Sequence, residues 1–335
     1  MSFSLHRRIG CLGALAYAVA GGAWGASAIR AGLKVAYLPK QINNPYSALV
    51  GAGVIEAMRE LEGAGKMVGP DSAQALSQES FIKQLIVEKP GAIILAANDA
   101  IAVLPFVRQA IAAGSKIVAV DSDLAHDARD VFINQASQEG VGRAQMVLMA
   151  KLMGGKGEFA ILSATPTANN QNAWIYWMMQ ELRRPQYRDM TLVKVAYGND
   201  DPLDSLEHVK QLLLRFPNLQ GILSPTTVGI SAAARHLSTL SPKRQVQLTG
   251  LGTPNEMRAF VKNGTVTAFQ LWNPMDLGYL AAYAAAHLAS GSITGKRGET
   301  FMAGRLGSYT IGVRGEVILG SPTTFDKQNI DQFNY

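Results

Sequence analysis

The sequence predicts an α/β fold of repeated strand-helix units around a mostly parallel sheet. Three observations carry this reading. From residue 33 onward, short apolar runs alternate with longer amphipathic stretches, as strands covered by crossover helices do. Most of the apolar runs lead straight into polar residues, as strands do whose carboxyl ends open onto loops. The composition, 48% hydrophobic and 17% charged over 335 residues with 33 Gly, 14 Pro and one Cys, is that of a globular chain. It is long enough for about two domains of roughly 150 residues each, and it excludes collagen-like, low-complexity and disulfide-stapled classes.

Strands are expected at 33–38, 92–96, 116–120, 158–162, 191–196, 221–223, 246–251 and 266–271. Helices are expected at 47–61, 77–88, 102–113, 138–153, 172–182, 202–215, 229–240, 255–263 and 275–289. Ala113-Gly114 and Asn263-Gly264 are helix stops, while Pro202 and Pro254 stand where a first helical turn tolerates a missing N–H. Residues 310–322 read as a final hairpin turning at Arg314-Gly315.

The amino terminus carries an address. His6, Arg7 and Arg8 precede an apolar stretch over residues 9–24, then Ala26-Ser27-Ala28, the order of a secretory signal with small residues before the cut. The reading is a signal peptide over 1–28 and a mature chain starting near Ile29, located in the periplasm. The apolar stretch is short of the roughly 20 residues a membrane span needs. Cys11 lies at the beginning of that stretch, too early for a lipidated cysteine, so the mature chain has no thiol. Loss of Arg7 and Arg8 takes the formal charge from +6 to +4. The largest basic clusters are pairs such as Arg183-Arg184 and Lys243-Arg244, read as solvated helix ends, so no basic stripe points to nucleic acid.

In an open α/β sheet, ligands bind beyond the carboxyl ends of the strands. The residues there are Lys40, Asn43, Asn44, Asn98, Asp99, Asp121, Ser122, Asp123, Asn134, Gln135, Asn169, Asn170, Gln171, Thr226, Thr227, Gln270, Trp272 and Asn273. Such amides, carboxylates and hydroxyls pair with the hydroxyls of a neutral polyol, and an aromatic such as Trp272 or Tyr46 covers an apolar sugar face. Asn, Asp and Ser after strands also serve as helix caps, and both readings stand at this point.

Catalytic and metal patterns are missing. His126, His208, His236 and His287 have no partner at metal-ligand spacing, and Gly229-Ile230-Ser231-Ala232-Ala233 lacks the second Gly of a nucleophile elbow. Gly51-Ala52-Gly53 is half a dinucleotide fingerprint, and neither Gly155-Lys156 nor Gly295-Lys296 has P-loop spacing. Asp121 and Asp123 read as hydroxyl binders rather than as metal ligands or an acid-base pair. No catalytic residue, metal or cofactor is expected.

Long stretches resemble a known family. They include Ser163-Ala164 with Asn170-Gln171-Asn172-Ala173-Trp174, Gly221-Ile222-Leu223-Ser224-Pro225-Thr226-Thr227-Val228-Gly229, and Thr249-Gly250-Leu251-Gly252. Gly264-Thr265-Val266 leads on to Leu271-Trp272-Asn273-Pro274-Met275-Asp276-Leu277-Gly278-Tyr279. Ala303-Gly304-Arg305-Leu306-Gly307 and Phe325-Asp326-Lys327-Gln328-Asn329-Ile330-Asp331 complete the set. Together these resemble the periplasmic sugar-binding proteins of ABC importers, of the ribose-binding type I fold, and most closely their rhamnose-binding branch.

The resemblance implies two similar doubly wound parallel-sheet lobes joined by three crossing segments, with a sugar held between them. The implied division is 29–133 plus 272–305 for the N-terminal lobe and 134–271 plus 306–335 for the C-terminal lobe. It also implies an inner-membrane ABC permease as partner, a monomer, and no enzyme activity. The related autoinducer-2 receptors share Lys40, Asp121, Gln171 and Pro225, but here Asn170 stands for their Asp and Thr227 for their Ala. The lost carboxylate places L-rhamnose or another 6-deoxyhexose ahead of autoinducer-2. Within the implied site Asp121, Asn170 and Thr227 bind hydroxyls, Lys40 and Gln171 orient them, and Trp272 lines the cleft near a crossing segment. Asn44, Tyr46, Asn98, Asp123, Asn134, Pro225, Thr226 and Gln270 complete the candidate set. A sugar sensor that docks on a membrane receptor has the same architecture. A DNA-binding regulator would carry a helix-turn-helix where this chain carries the export signal.

Overall fold

The computed structural model describes residues 29–240 and 246–335. The expected signal segment and the Lys243-Arg244 pair lie outside the described residues. The elements in chain order are β1 (Lys34–Leu38), α1 (Pro45–Glu60), β2 (Ala64–Met67), α2 (Glu79–Glu88), β3 (Ala92–Leu95), α3 (Leu104–Ala112), β4 (Lys116–Val120), β5 (Val131–Asn134), α4 (Gln138–Met153), β6 (Gly157–Ser163), α5 (Asn169–Leu182) and β7 (Met190–Tyr197). There follow α6 (Pro202–Arg215), β8 (Leu219–Ser224), α7 (Thr227–Leu237), β9 (Gln247–Gly250), α8 (Pro254–Lys262), β10 (Ala268–Leu271), α9 (Pro274–Ser290), β11 (Thr300–Met302), β12 (Ser308–Thr310), β13 (Glu316–Ile318) and β14 (Thr323–Asp326).

Two parallel sheets organise the chain. One has six strands in the order β13-β5-β4-β3-β1-β2, the other four in the order β7-β6-β8-β9. The second sheet continues through a parallel bridge from Leu251 to Gln270 into β10, which pairs antiparallel with β14. β3 reads Ala-Ile-Ile-Leu and is buried throughout, because helices cover both faces of a parallel sheet. Helix starts are set by caps: Asn44 accepts from Tyr46 N ahead of Pro45, Ser137 accepts from Gly140 N, and Asn273 accepts from Met275 N ahead of Pro274. Gly154 and Gly291 end α4 and α9 in the left-handed conformation, at φ 67° and 74°. Among the described residues no helix is long and apolar enough to cross a membrane.

The chain crosses between the sheets three times: from β5 to α4, from β10 to α9, and from β13 to β14. The third crossing differs from the implied division at 305/306. Glu316–Ile318 pairs parallel to Phe132–Asn134 of the first sheet, with Val317 buried at its edge. Residues 306–318 therefore stay with the first lobe, and the crossing falls at 319–322. There Leu319 N and Gly320 N donate to the carbonyls of Asn134 and Gln135 at 2.8 and 3.3 Å, so the third crossing runs beside the first.

The expected hairpin over 310–322 does not form. Its turn is real, since Arg314 and Gly315 take φ 56° and 72°, but β12 pairs back with β11 and β13 pairs with β5. The eight expected strands all occur within a few residues of their places, and β2, β5, β11, β12, β13 and β14 are added to them.

Candidate functional site

A cavity lies between the lobes at the carboxyl ends of the strands. The first lobe supplies Tyr37, Lys40, Asn44, Tyr46, Ser47, Ala96 and Asp121 to its wall. The second supplies Asn170, Gln171, Asp200, Pro225, Thr226, Thr227 and Leu251, with Trp174 on α5. Leu271 and Trp272 enter from the second crossing.

Asp121 is the hub. It follows β4 with φ 61°, and Ser122 N donates across it to Val120 O at 2.5 Å, closing a tight three-residue turn of strained type. That turn aims a buried carboxylate into the cleft instead of continuing the strand. Asp121 Oδ1 accepts from Tyr46 OH at 3.2 Å, and Tyr46 OH accepts in turn from Trp272 Nε1 at 2.9 Å. Asp121 Oδ2 accepts from Asn170 Nδ2 at 3.0 Å and lies 3.6 Å from Lys40 Nζ. Lys40 Nζ donates to Asn170 Oδ1 at 3.0 Å. Acid, amide and ammonium thus meet across the two lobes. Burial pushes the Asp121 carboxyl above its ordinary 3.8, against the opposing pull of Lys40 and of the hydrogen bonds from Tyr46, Lys40 and Asn170. Burial likewise pushes the Tyr46 and Tyr37 phenols well above their ordinary 10.0, with the Asp121 charge adding to the effect.

The other wall is fixed by the second lobe. Gln171 Oε1 accepts from Ser163 Oγ at 2.7 Å and from Ala164 N at 2.8 Å, which leaves the Nε2 amide as its remaining donor. Thr226 caps α7 without a side-chain capping bond, because its hydroxyl donates to Asp200. Trp272 lies edge-on to Tyr46 at 6.2 Å and tilted against Trp174 at 5.8 Å, forming an aromatic corner.

Ten of the fourteen residues read from the sequence line this cavity: Lys40, Asn44, Tyr46, Asp121, Asn170, Gln171, Pro225, Thr226, Thr227 and Trp272. Asn44 does so while capping α1, so both readings hold for it. The other four serve the scaffold. Asn98 Nδ2 donates to Lys40 O and Ser77 Oγ at 2.9 and 3.0 Å, bracing the loop that carries Lys40. Asp123 holds the buried Arg129 through two guanidinium bonds, while Arg129 Nη1 donates to Arg314 O at 2.8 Å. Asn134 Nδ2 donates to Glu316 Oε1 at 2.7 Å beside the first crossing. Gln270 Nε2 donates to Thr324 Oγ1 at 3.1 Å, tying β10 to β14.

Sequence reasoning passed over Asp200, Trp174, Ser47 and the apolar lining of Tyr37, Ala96, Leu251 and Leu271. Trp174 belongs to a stretch that carried the family resemblance, and among the described residues its buried indole N–H has no hydrogen-bond partner. Asp200 lies in the run Asn199-Asp200-Asp201-Pro202, where a helix cap is the ordinary reading. The capping is done by Asp201, which accepts from Leu203 N and Asp204 N at 2.8 and 2.9 Å.

Two parallel α/β lobes with three crossings and a polar cleft at their strand ends define a two-lobed solute-binding protein of type I. Residues 35–293 match the model of the periplasmic binding protein domain, and the chain belongs to that family. Among solved structures, a sugar ABC transporter protein from Actinomyces odontolyticus is 45% identical, with 90% of this chain and 98% of that chain covered and a TM-score of 0.72. An ABC transporter solute-binding protein from Clostridium phytofermentas, solved with bound L-rhamnose, is 35% identical over 90% of this chain and 98% of that one, with a TM-score of 0.87. LsrB from Clostridium saccharobutylicum, in complex with AI-2, is 21% identical over 90% and 100% of the two chains and has a TM-score of 0.84, a likeness of fold.

Proposed function

We propose that this protein is an exported receptor that captures a neutral 6-deoxyhexose, L-rhamnose first, between its lobes and delivers the closed form to an inner-membrane ABC permease. The observation that carries the reading is the division of the cavity wall. Tyr46, Lys40 and Asp121 come from one lobe and Asn170, Gln171, Thr226 and Thr227 from the other. A ligand that bonds both walls at once binds the closed form better than the open one, and only that difference draws the lobes together. The aromatic corner and the Leu251 and Leu271 side chains give the C6 methyl group of a deoxyhexose an apolar contact, and the L-rhamnose bound by the Clostridium phytofermentas relative supports this choice of sugar. Lys40, Asp121, Gln171 and Pro225 favour a second reading, an autoinducer-2 receptor, since all four line the cavity. Asn170 counts against it, because its neutral amide stands where those receptors look for a carboxylate.

Isothermal titration against L-rhamnose, L-fucose, D-ribose and autoinducer-2 tests the reading. L-Rhamnose is expected to bind most tightly; no heat from any pyranose would sink it. Delivery to a permease, rather than signalling through a docked membrane receptor, is tested by sugar uptake in cells lacking the gene. Uptake is expected to fail in those cells, and intact uptake with a lost transcriptional response would favour the sensor.

A further inference from the structure

The cavity contains a second carboxylate whose work inside the protein is unfinished. Asp200 is 7% exposed and lines the cleft from the loop between β7 and α6. It stands in the left-handed region at φ 50°. Its backbone carbonyl accepts from Gln41 Nε2 of the first lobe at 3.0 Å, and its Oδ1 accepts from the Thr226 hydroxyl. Among the described residues Oδ2 has no hydrogen-bond donor, and the helix cap that would ordinarily occupy an aspartate here is supplied by Asp201.

Asn170 is in the opposite condition. Its Nδ2 donates to Asp121, and its Oδ1 accepts from both Lys40 Nζ and Gln171 N. Its acceptor oxygen is filled by the contacts that hold the lobes and its own helix turn, while one N–H of Nδ2 is left to donate. The charged acceptor that the second lobe leaves open is therefore the carboxylate of Asp200. A carboxylate has about four acceptor positions, and two adjacent hydroxyls match its two oxygens.

We propose that Asp200 is the specificity-determining acceptor of the second lobe, its two carboxylate oxygens taking the two hydroxyls of a vicinal diol on the bound sugar. This rests on the sugar-binding reading above and narrows it. The ligand must present two free neighbouring hydroxyls to the second lobe. It must also be neutral, because among the described residues Lys40 is the one cation that lines the cavity beside Asp121 and Asp200, and a uronate or sugar phosphate adds a further negative charge there.

Asp200→Asn is the discriminating variant. Asparagine tolerates the left-handed φ and keeps an amide oxygen for Thr226, so the loop retains its shape while the acceptor pair is lost. The titrations use wild type and D200N against L-rhamnose and its 2-, 3- and 4-deoxy analogues, with thermal unfolding as the fold control. Wild type is expected to bind L-rhamnose about 100-fold more tightly than the variant. For an analogue that lacks a hydroxyl of the recognised diol, the ratio is expected to shrink to about 10-fold or less. Unchanged binding by D200N, or one common loss for every analogue, overturns the assignment while leaving the sugar-binding reading in place. No heat from wild type with any of these sugars overturns both.

Discussion

Asp121 shows how much a single residue in this cleft carries. Its carboxylate is buried, sits on a strained turn, and accepts from Tyr46 and Asn170 with Lys40 close by. Asp121→Asn keeps the shape and removes the charge, and the affinity for the sugar is expected to fall about 30-fold or more by titration calorimetry, since hydrogen bonds to charged groups contribute about 1.5–3 kcal/mol each. The pH dependence has a definite sign. Burial raises the Asp121 and Asp200 carboxyls above their ordinary 3.8, so in the window just above that value the folded chain holds more protons than the unfolded one. These two groups then favour folding as pH falls through their raised pKa values, and that contribution is lost as pH rises again. Binding follows the opposite course, because protonation turns an acceptor into a donor. From about pH 7 down to about pH 4, the dissociation constant is expected to rise while the stability of wild type relative to D121N improves. A constant that stays flat across this range would mean that neither carboxylate meets the ligand. Polar residues after strands were legible as a set, and Lys40, Asn44, Asp121, Asn170, Gln171, Thr226 and Thr227 among them line the cavity. Asn98, Asn134 and Gln270 were not separable from the others, because their scaffold partners Lys40, Glu316 and Thr324 come from parts of the chain that a local reading cannot bring near, whereas Asp123 has its partner Arg129 only six residues on.

At the scale of elements, periodicity and caps place the helices within a few residues, and α4 and α6 match their expected bounds. Strand pairing is less legible. Arg314-Gly315 marks a turn correctly, yet a turn signal does not say which strand its flanks join, and β13 finds its partner in β5 far back in the chain. β2 is a short, half-buried edge strand, Ala-Gly-Lys-Met, with no apolar alternation to announce it. Glycine content concealed a tighter constraint. A Cβ on Gly278 of α9 would stand 1.9 Å from Val50 O of α1, and a Cβ on Gly53 of α1 would stand 1.9 Å from Met275 O of α9. The two helices approach backbone to backbone, and no side-chain movement relieves such a clash. Gly278→Ala is therefore expected to cost about 3 kcal/mol or more, read as a lowered urea midpoint with the order of sugar preferences unchanged. An unaltered midpoint would show that the helices slide apart freely.

For the whole molecule, the cleft is held by two sets of bonds, and only one set faces the cavity. Outside it, the Ser122 hydroxyl donates to Asn169 Oδ1, and Asn169 Nδ2 donates to Asp123 O at 2.8 Å. Thr167 Oγ1 donates to Asn98 O at 3.3 Å. All three bonds join the first lobe to the second, and none of these residues lines the sugar cavity. They stabilise the closed arrangement whatever the ligand, so they set the fraction of molecules ready to bind, and the apparent affinity scales with that fraction. Asn169→Ala removes two of them at about 1 kcal/mol each. The expected result is a dissociation constant up to about 30-fold higher for every sugar alike, with calorimetric ranking preserved and a larger radius of gyration by X-ray scattering for the sugar-free protein. A loss confined to one sugar would instead place Asn169 at the ligand, and an unchanged radius would mean that the closed arrangement does not depend on these contacts.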